Sequence, residues 1–328
     1  MSETFNWGII GAGRIARKFA SDLKTIKNAR LSAVASRDQG RAQTFADEYS
    51  APYAYGTYEE ILDCPELDAV YIATRHPGHA AASILCLDKG IPVLCEKPFA
   101  MNTGEVEQMI AAARRSNTFL MEAIWTRFLP TTRQALKWIA EGKIGEVQSV
   151  KADFGFKAER NLEGRLYNKE LGGGSLLDIG IYPTFLSLLL LGKPQEILAH
   201  GVIGPTGIDE EMAAIFTYEG GKMAQIHSTI RADTKTEAFI YGSEGVIHIH
   251  SRWHEPTSMS LLLPGERPQD VFFDYPCIGY AYEAEEVMSC LAEGKKESEA
   301  LPLSFSLDLI QLLDSMREKI GLTYRADS

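Results

Sequence analysis

Apolar residues in the first third of the chain occur in short continuous runs, and a stretch with helical periodicity follows each of the first four. Such runs are typical of strands that are covered on both faces. The predicted strands cover residues 5–10, 30–35, 69–73, 92–95 and 119–121, and the predicted helices 16–26, 41–49, 79–88 and 103–116. Alternation at this spacing predicts a parallel, doubly wound sheet.

The pattern changes after about residue 123. A helix at 131–140 and a strand at 147–156 lead to a charged, glycine-containing loop at 157–174 and an apolar helix at 175–191. Short turns such as Glu219-Gly220-Gly221 and Ser243-Glu244-Gly245 then separate the strands predicted at 196–202, 212–218, 223–230, 236–241, 246–250 and 258–263. Closely linked strands favour antiparallel pairing, and helices at 282–293 and 304–320 follow. The predicted fold is α/β, with a Rossmann domain at 1–123 and an α+β domain with a mostly antiparallel open sheet at 124–328.

Composition narrows the class of protein. The chain has 328 residues, 45 % of them hydrophobic, and a formal net charge of -11, which argues against nucleic acid or anionic membranes as partners. The apolar stretch 175–191 is shorter than the ~20 residues of a membrane span, so we expect a buried helix. Five cysteines without a CxxC pair indicate free thiols. The first seven residues lack a basic signal-peptide segment, so we expect a cytoplasmic protein.

A glycine motif, G-x-G-x-x-A, lies directly between the first predicted strand and helix. Gly11 permits a tight turn, Gly13 lets the backbone approach a pyrophosphate, and Ala16 allows close helix–strand contact. The motif predicts a dinucleotide site that includes Arg14 and Ile15. The alternative is a glycine turn that binds nothing.

The end of the second predicted strand bears on the choice of cofactor. An NAD site favours Asp or Glu there, whereas this chain has Ser36 followed by Arg37, with Arg41 one helical turn later. A hydroxyl and a guanidinium suit a ribose 2′-phosphate, so the prediction is NADP(H). The alternative is that both arginines are solvated and Asp38 only caps the helix.

Lys97 follows the strand at 92–95, where ligands of open α/β sheets bind. Placed there, beside Glu96 and before Pro98, it could exchange a proton with a carbonyl or alcohol oxygen. The alternative is a surface lysine paired with Glu96. The segment after the strand at 69–73 adds further candidates for cofactor contact, namely Thr74, His76 and His79.

These motifs resemble the glucose–fructose oxidoreductase / inositol dehydrogenase family over essentially the whole chain. Longer strings are similar to the dimeric dihydrodiol dehydrogenases within it. They are Leu94-Cys95-Glu96-Lys97-Pro98, Met121-Glu122-Ala123-Ile124-Trp125-Thr126-Arg127-Phe128 and Leu177-Asp178-Ile179-Gly180-Ile181-Tyr182. The resemblance implies Lys97 beside the nicotinamide, Asp178 as a catalytic residue and a homodimer that buries a sheet face. It also implies an acid/base role for Tyr182, which stands where inositol dehydrogenases have a His.

The residues themselves support this pair. At i and i+4 of a helix, Asp178 and Tyr182 would share one face, and so apolar a stretch rarely holds a carboxylate without reason. A neighbouring ammonium such as that of Lys97 would lower the pKa of the phenol, and Asp178 could orient Lys97 or balance its charge. The alternative is that Asp178 caps the helix near Ser175 and Tyr182 is a core phenol.

Six further residues are candidates for the wall of the substrate site: Trp125, Arg127, Phe128, Phe154, Trp253 and Tyr280. His248, His250 and His254 raise the question of a metal, but no carboxylate or cysteine is spaced to complete a site, so we expect none. The predicted activity is hydride transfer between NADP(H) and a secondary alcohol or ketone, such as a vicinal diol or dicarbonyl. A sugar oxidoreductase and a non-catalytic NADP(H) sensor are the alternatives.

Overall fold

The computed structural model describes residues 4–327 and divides into two compact units. The first unit comprises Met1–Trp125 and Pro276–Leu307, and the second Thr126–Tyr275 and Asp308–Ser328. The prediction had placed everything after residue 123 in one domain. In the structure, Pro276–Leu307 belong to the first unit instead. No break in the hydrophobic pattern of the sequence indicated this return of the chain to the first unit. The prediction that the first seven residues lack a signal-peptide segment rests partly on residues 1–3, which lie outside the described residues.

The first unit is built on a parallel sheet of six strands in the order β3-β2-β1-β4-β5-β6. Its strands are β1 (Phe5–Ile10), β2 (Ala29–Ala35), β3 (Tyr53–Tyr55), β4 (Ala69–Ile72), β5 (Val93–Glu96) and β6 (Leu120–Ala123). Its helices are α1 (Arg14–Leu23), α2 (Gln39–Tyr49), α3 (His79–Asp88), α4 (Thr103–Ser116) and α7 (Tyr280–Ala292). The predicted Rossmann sheet is confirmed, and β3 was missed.

Continuous burial explains why these strands read as unbroken apolar runs. Every residue of β4, β5 and β6 is buried, as expected of strands covered on both faces. Aromatic rings fill the space between sheet and helices: Phe19 of α1 stacks on Tyr71 of β4, with ring centroids 3.9 Å apart.

The second unit is built on an eight-stranded sheet in the order β14-β13-β12-β11-β7-β10-β9-β8. Its strands are β7 (Val147–Gly155), β8 (Glu196–Ile203), β9 (Asp209–Thr217), β10 (Met223–Thr229), β11 (Ala238–Gly242), β12 (Val246–Ile249), β13 (Met259–Leu262) and β14 (Gln269–Val271). Only the β7–β10 pair is parallel within the described residues. The prediction of a mostly antiparallel sheet is therefore confirmed.

Three helices belong wholly or partly to the second unit: α5 (Pro130–Ala140), α6 (Ile181–Leu191) and most of α8 (Leu303–Ile320). A π-helical turn (Leu176–Gly180) runs directly into α6. The stretch Lys169–Leu191 is long and apolar enough to cross a membrane, but 83 % of its apolar window is buried within the protein. The predicted buried helix is confirmed, and all five cysteines are free thiols.

Candidate active site

The glycine turn after β1 has the geometry that a dinucleotide pyrophosphate requires. Gly11 has a φ of +104°, and a Cβ there would lie 2.7 Å from the backbone of Ala73, so glycine is needed. A Cβ on Gly13 would meet nothing within 4 Å among the described residues. Gly13 is the N-cap of α1, and no described side chain caps that end. The first N–H groups of α1 can therefore receive an anion, with Arg14 exposed and Ile15 half-buried beside them.

The end of β2 combines a buried hydroxyl residue with two exposed guanidinium groups. Ser36 is buried and donates its N–H to the carbonyl of Tyr55 at 3.1 Å. Arg37 and Arg41 are exposed. Asp38 does cap α2, accepting the N–H of Arg41 at 2.7 Å, but this bond uses the backbone and leaves the side chain of Arg41 outside the cap. Capping and binding of a 2′-phosphate are thus compatible.

The segment after β4 contains two buried histidines. The imidazole of His79 is 1 % exposed, with Nδ1 2.8 Å from the carbonyl of Pro98 and Nε2 3.3 Å from that of Thr74. Burial lowers the pKa of His79 to about 4, so the ring is neutral near pH 7. Its ring faces backbone carbonyls, which supports a role in holding the Lys97–Pro98 segment rather than in touching cofactor. His76 is 7 % exposed, and its ring centroid lies 5.7 Å from that of His79.

Side chains from three elements hold the turn that carries Lys97. The backbone N–H of Lys97 donates to Glu96 Oε2 at 3.1 Å, and that of Phe99 donates to Glu122 Oε1 at 2.9 Å. Together with His79 on the Pro98 carbonyl, these bonds fix the backbone around a cis Lys97–Pro98 peptide. Lys97 itself is half-buried. The turn therefore places a partly desolvated ammonium beyond the carboxyl end of β5.

Buried acids lie behind this turn. The hydroxyl of Tyr71 donates to Glu96, and Glu283 of α7 is fully buried with neither oxygen hydrogen-bonded to any described residue. Burial, then the charges of Glu96 and Asp22, raise the pKa of Glu283 well above its ordinary value. Burial also raises the pKa of Glu122 to about 7. These shifts favour the protonated form of both acids, which limits the negative charge packed behind Lys97.

An aromatic pair lies in the same unit. Trp125 and Tyr280 are both nearly buried, and their rings stack with centroids 4.4 Å apart. Asp22 of α1 fixes the start of α7, because its carboxylate accepts the N–H groups of Tyr280 at 2.7 Å and Ile278 at 3.2 Å. Two residues predicted as wall candidates therefore contact each other.

In the second unit, Asp178 lies in the π-helical turn and is 7 % exposed. Arg165 donates to it through two parallel bonds, Nη1 to Oδ1 and Nη2 to Oδ2, each 2.9 Å long. The cap position considered for Asp178 belongs to Asp209, whose Oδ2 accepts the N–H of Leu176 at 2.6 Å. Asp209 therefore caps this turn, and Arg165 balances the charge of Asp178.

Tyr182 lies in an aromatic cluster with Phe154 and His254. Its ring centroid lies 5.7 Å from that of Phe154 and 5.1 Å from that of His254, and Phe154 and His254 stack at 3.9 Å. Tyr182 is 5 % exposed and His254 3 %. Asp178 lies in the π-helical turn, where it meets Arg165, and Tyr182 lies in the first turn of α6, where it meets the aromatic rings.

Trp253 contacts this cluster only at its edge, where its ring meets that of His254 with centroids 6.4 Å apart. It is 1 % exposed, and its indole N–H donates to the carbonyl of Asp153 at 2.9 Å. The ring that meets Phe154 and Tyr182 belongs to the next residue, His254. Phe128 is likewise 1 % exposed, whereas Arg127 is half-buried. Burial argues against substrate contact for Trp253 and Phe128.

His248 and His250, which with His254 raised the question of a metal, have polar neighbours. His250 lies 2.8 Å from Ser258 Oγ and 2.7 Å from Ser260 Oγ, and His248 Nε2 lies 3.6 Å from Glu237. Among residues 4–327, no group of three or more His, Cys, Asp or Glu is placed to hold a metal ion.

Three residues that contact the predicted site residues or hold their backbone were not predicted from the sequence. Arg165 comes from the loop 13 residues before Asp178, whereas His254 and Glu122 come from a turn and a strand farther from Tyr182 and Lys97 in sequence. Arg165 carried one weak signal, since it lies in the charged loop that precedes the apolar helix. Nothing in a single sequence shows which distant carboxylate a given arginine will meet.

Comparisons with known proteins agree with this arrangement. Residues 5–124 match the model of an oxidoreductase family with an NAD-binding Rossmann fold, and residues 132–248 match the GFO/IDH/MocA C-terminal domain. The chain is 41 % identical to trans-1,2-dihydrobenzene-1,2-diol dehydrogenase of Danio rerio and 37 % identical to that of Homo sapiens, in both cases over 98 % of each chain.

Solved structures show the same fold. A 3-ketoreductase from Actinomadura kijaniata, in complex with NADP and TDP-benzene, aligns with a TM-score of 0.87 and 25 % identity over 97 % of this chain and 98 % of its own. An aldose-aldose oxidoreductase from Caulobacter crescentus aligns with a TM-score of 0.88 and 24 % identity over the same shares. The nucleotide turn, the two-unit organisation and these matches together place the chain in the glucose–fructose oxidoreductase / inositol dehydrogenase (GFO/IDH/MocA) family of oxidoreductases.

Proposed function

We propose that the protein is an NADP(H)-dependent dehydrogenase that oxidises a vicinal diol to the hydroxyketone and, in the reverse direction, reduces a hydroxyketone to the diol or one carbonyl of a dicarbonyl to a hydroxyl. The observation that carries this proposal is the turn that contains Lys97, which side-chain hydrogen bonds hold beyond the carboxyl end of β5. The glycine turn, where no described side chain caps the start of α1, lies in the same unit. The named activity of relatives 37–41 % identical supports a trans-dihydrodiol as substrate.

The choice of NADP(H) is supported by the end of β2. Arg37 and Arg41 are exposed there, and guanidinium groups bind phosphate with charge-assisted hydrogen bonds. Ser36 stands where an acidic side chain would select against a 2′-phosphate. The ketoreductase that aligns at 25 % identity was solved with NADP.

Each residue of the site then has a role. When bound, NADP(H) would supply the hydride acceptor or donor, and the first N–H groups of α1 together with Arg37 and Arg41 would hold its phosphates. Tyr182, or Lys97 in its place, takes the hydroxyl proton of the alcohol while the carbon loses hydride, and returns that proton in reduction. Asp178, ionised beside Arg165, accepts hydrogen bonds and supports this group. Within the second unit, the rings of Phe154 and His254 beside Tyr182 favour a flat hydrophobic substrate.

A substrate panel tests the proposal. NADPH formation, followed by its absorbance band, is measured with trans-dihydrodiols, pyranoses and simple secondary alcohols, each with NADP⁺ and NAD⁺. We expect the highest kcat/KM for the diol with NADP⁺. A preference for pyranoses would indicate a sugar oxidoreductase instead, and cofactor binding without any turnover would indicate a sensor.

The cofactor assignment has its own test in Arg37→Ala. Loss of a charge-assisted phosphate contact costs about 1.5–3 kcal/mol, which is roughly a 10- to 150-fold weaker binding of NADPH. Binding of NADH should change little. Equal losses for the two cofactors in a fluorescence titration would remove Arg37 from the phosphate site.

We further propose a homodimer formed by the open face of the second sheet, in a cytoplasmic protein. Paired residues across five strands place one row on this face: Leu198, Ile215, Gln225, Lys151 and Phe239. Leu198 is 55 % exposed and Ile215 38 %, whereas α6 covers the other face. The same face also carries Glu237, so it mixes apolar residues with charges of both signs and suits a second copy of itself.

A further inference from the structure

Asp209, the first residue of β9, is a fully buried carboxylate in the second unit. Its Oδ2 accepts two hydrogen bonds, one from the N–H of Leu176 at 2.6 Å and one from the hydroxyl of Ser175 at 2.7 Å. Its Oδ1 has no hydrogen-bond partner among the described residues. Burial of a carboxylate is costly unless specific bonds offset the cost. The two bonds therefore indicate what Asp209 does, which is to hold the start of the π-helical turn.

This turn is the segment that carries the proposed catalytic residues. It contains Asp178, and α6 begins directly after it with Tyr182 in its first turn. π-Helical turns are rare and occur frequently at functional sites. The first N–H groups of a helical segment have no partner within it, and the side chain of the N-cap residue, Ser175, does not cap this one. Asp209 supplies the acceptor from a different element of the fold.

The turn also packs against β10, the strand next to β9. Ser228 Oγ of β10 lies 3.0 Å from Ser175 Oγ. A Cβ on Gly180, the last residue of the turn, would lie only 2.8 Å from the same Ser228 Oγ. One side chain of β10 thus meets both ends of the turn. The turn lies directly on the sheet, and the bonds to Asp209 fix where it begins.

The backbone that leads into the turn passes close to the same carboxylate. Gly174 has a φ of +122°, and a Cβ there would overlap Oδ1 of Asp209 and lie 2.9 Å from the hydroxyl of Tyr324. Only glycine allows this approach. The Tyr324 hydroxyl donates to the carbonyl of Gly173 at 2.5 Å. Asp209 is therefore enclosed by the C-terminal segment as well as by the turn.

Burial determines the pH range in which Asp209 carries its charge. It raises the pKa of Asp209 to about 6, although the hydrogen bonds from Ser175 and Leu176 oppose the shift. Burial, and then the charge of Asp209, raises the pKa of Tyr324 well above its ordinary value, so this phenol stays neutral. The partner of Asp209 in β8 is Ile203, which does not titrate. The charged groups around Asp209 and Tyr324 are Asp178 of the turn, Arg317 of α8, Asp327 of the C-terminal segment and Glu210 of β9 itself.

We propose that the carboxylate of Asp209 is a positioning residue for hydride transfer, because its bonds to Ser175 and Leu176 fix the backbone of the turn that leads to Tyr182. This inference rests on the proposed dehydrogenase function. Hydrogen bonds to an ionised acceptor are roughly twice as strong as those between neutral groups. A proton on Oδ1 leaves both bonds to Oδ2 in place but weakens them. Acid then loosens the turn and slows the reaction, although Asp209 itself does not touch the substrate.

Asp209→Asn tests this proposal, because it keeps the size of the side chain and an acceptor oxygen but removes the charge. Hydride transfer is followed in single turnovers with the full-length protein, NADP⁺ and a trans-1,2-diol. At about pH 8, where Asp209 is ionised, the wild type should react about 5- to 10-fold faster than the variant. At about pH 5, where Asp209 is mostly protonated, the two rates should agree within about twofold. Groups that titrate in both proteins cancel in this ratio.

Ser175→Ala is a second variant, which removes one hydrogen bond to Asp209 and leaves the carboxylate in place. Loss of a bond to the charged form raises the pKa of a carboxyl group, so this variant should lose its ionised cap at a higher pH. The ratio of the wild-type rate to the Ser175→Ala rate should be about twofold larger at about pH 6.5 than at about pH 8.

Asp233→Asn is the matched control. Asp233 is an exposed carboxylate of the same unit that also accepts a backbone N–H, that of Lys157 at 3.0 Å. Its rate should equal that of the wild type at every pH. Near-UV circular dichroism shows whether each variant keeps its tertiary packing.

A ratio of wild type to Asp209→Asn that is the same at both pH values would reduce Asp209 to a structural role and overturn the inference, as would a ratio of one throughout. If Asp209→Asn does not fold, Ser175→Ala decides, and a ratio independent of pH overturns the inference. In each of these cases the turnover of the wild type leaves the dehydrogenase function standing. A wild type that transfers no hydride would overturn the proposed function, and the inference with it.

Discussion

Glu122 shows how a single buried carboxylate can matter at the residue scale. Its Oε1 accepts the N–H of Phe99, two residues after Lys97, and burial raises its pKa to about 7. Because this pKa lies above the ordinary value of 4.5, the folded protein binds the proton more tightly than the unfolded chain does. The resulting stabilisation is complete below pH 4.5 and is lost as the pH rises through about 7.

We therefore predict that Glu122→Gln removes a pH dependence of stability. One pKa unit corresponds to 1.36 kcal/mol, so the wild type should lose on the order of 3 kcal/mol relative to Glu122→Gln between pH 4.5 and 7.5. The amide oxygen of the variant can still accept from Phe99. Urea unfolding of both proteins across this range checks the prediction, and parallel pH profiles would contradict it.

His79 acts with the opposite sign and must be kept constant in that comparison. Burial lowers its pKa to about 4, below its ordinary 6.5, so its contribution is present above pH 6.5 and is lost as the pH falls towards 4. Both proteins contain His79. The difference between their stabilities therefore isolates Glu122.

At the scale of elements, Asp22 joins two helices that are far apart in sequence. It lies on α1, is 4 % exposed and accepts the N–H groups of Ile278, Tyr280 and Ala281 at the start of α7. The N-cap residue of α7 itself, Gly279, has no side chain that could accept these N–H groups. Asp22 thus supplies the cap from another segment of the chain.

We predict that Asp22→Ala lowers the free energy of unfolding by about 2–3 kcal/mol, because buried N–H groups lose a charged acceptor. Asp22→Asn keeps an acceptor oxygen and should lose less. Asp38→Ala, which removes the local cap of α2, should cost only about 1 kcal/mol. Chemical denaturation of the three variants gives the ranking, and a cost for Asp22→Ala no larger than that of Asp38→Ala would contradict it.

The elements themselves were largely predictable. Three predicted elements, β1, α3 and α4, have the bounds found in the structure, and five predicted strands, β4, β7, β8, β10 and β12, begin at the residue found, since their hydrophobic pattern is strong and their ends carry turn or capping residues. The strands β3 and β14 have three residues each, too few for a period to be read. The π-helical turn was also invisible, because residues 176–191 form one apolar run.

The site was predictable only in part, for a physical reason. Gly11, Lys97, Asp178 and Tyr182 lie in recognisable local strings. His254 and Asp22 act through contacts between segments distant in sequence, and Arg165 through the folding of its own loop onto Asp178, all of which depend on tertiary packing. Trp253 and His254 are adjacent in sequence, and only the path of the turn decides which ring meets Tyr182.

At the scale of the whole molecule, we predict a homodimer through the open face of the second sheet. Leu198→Lys places a charge among the exposed apolar residues of this face and should give a monomer at micromolar concentration. Leu162→Lys is the control, since Leu162 is 45 % exposed in the loop 157–174 and off the sheet. Sedimentation velocity distinguishes the states. A wild type that already sediments as a monomer would refute the dimer.

The central claim is that this fold transfers a hydride with Lys97 and Tyr182 as the proton-handling residues, and single-turnover kinetics tests it most directly. NADPH formation is followed after rapid mixing of diol with protein saturated with NADP⁺. We predict that Tyr182→Phe and Lys97→Met each slow this step roughly 10²–10⁴-fold, the range of general acid–base groups, while Tyr218→Phe, at another buried tyrosine of the second unit, changes it little. Rates for both variants within about threefold of wild type, far outside that range, would contradict the account.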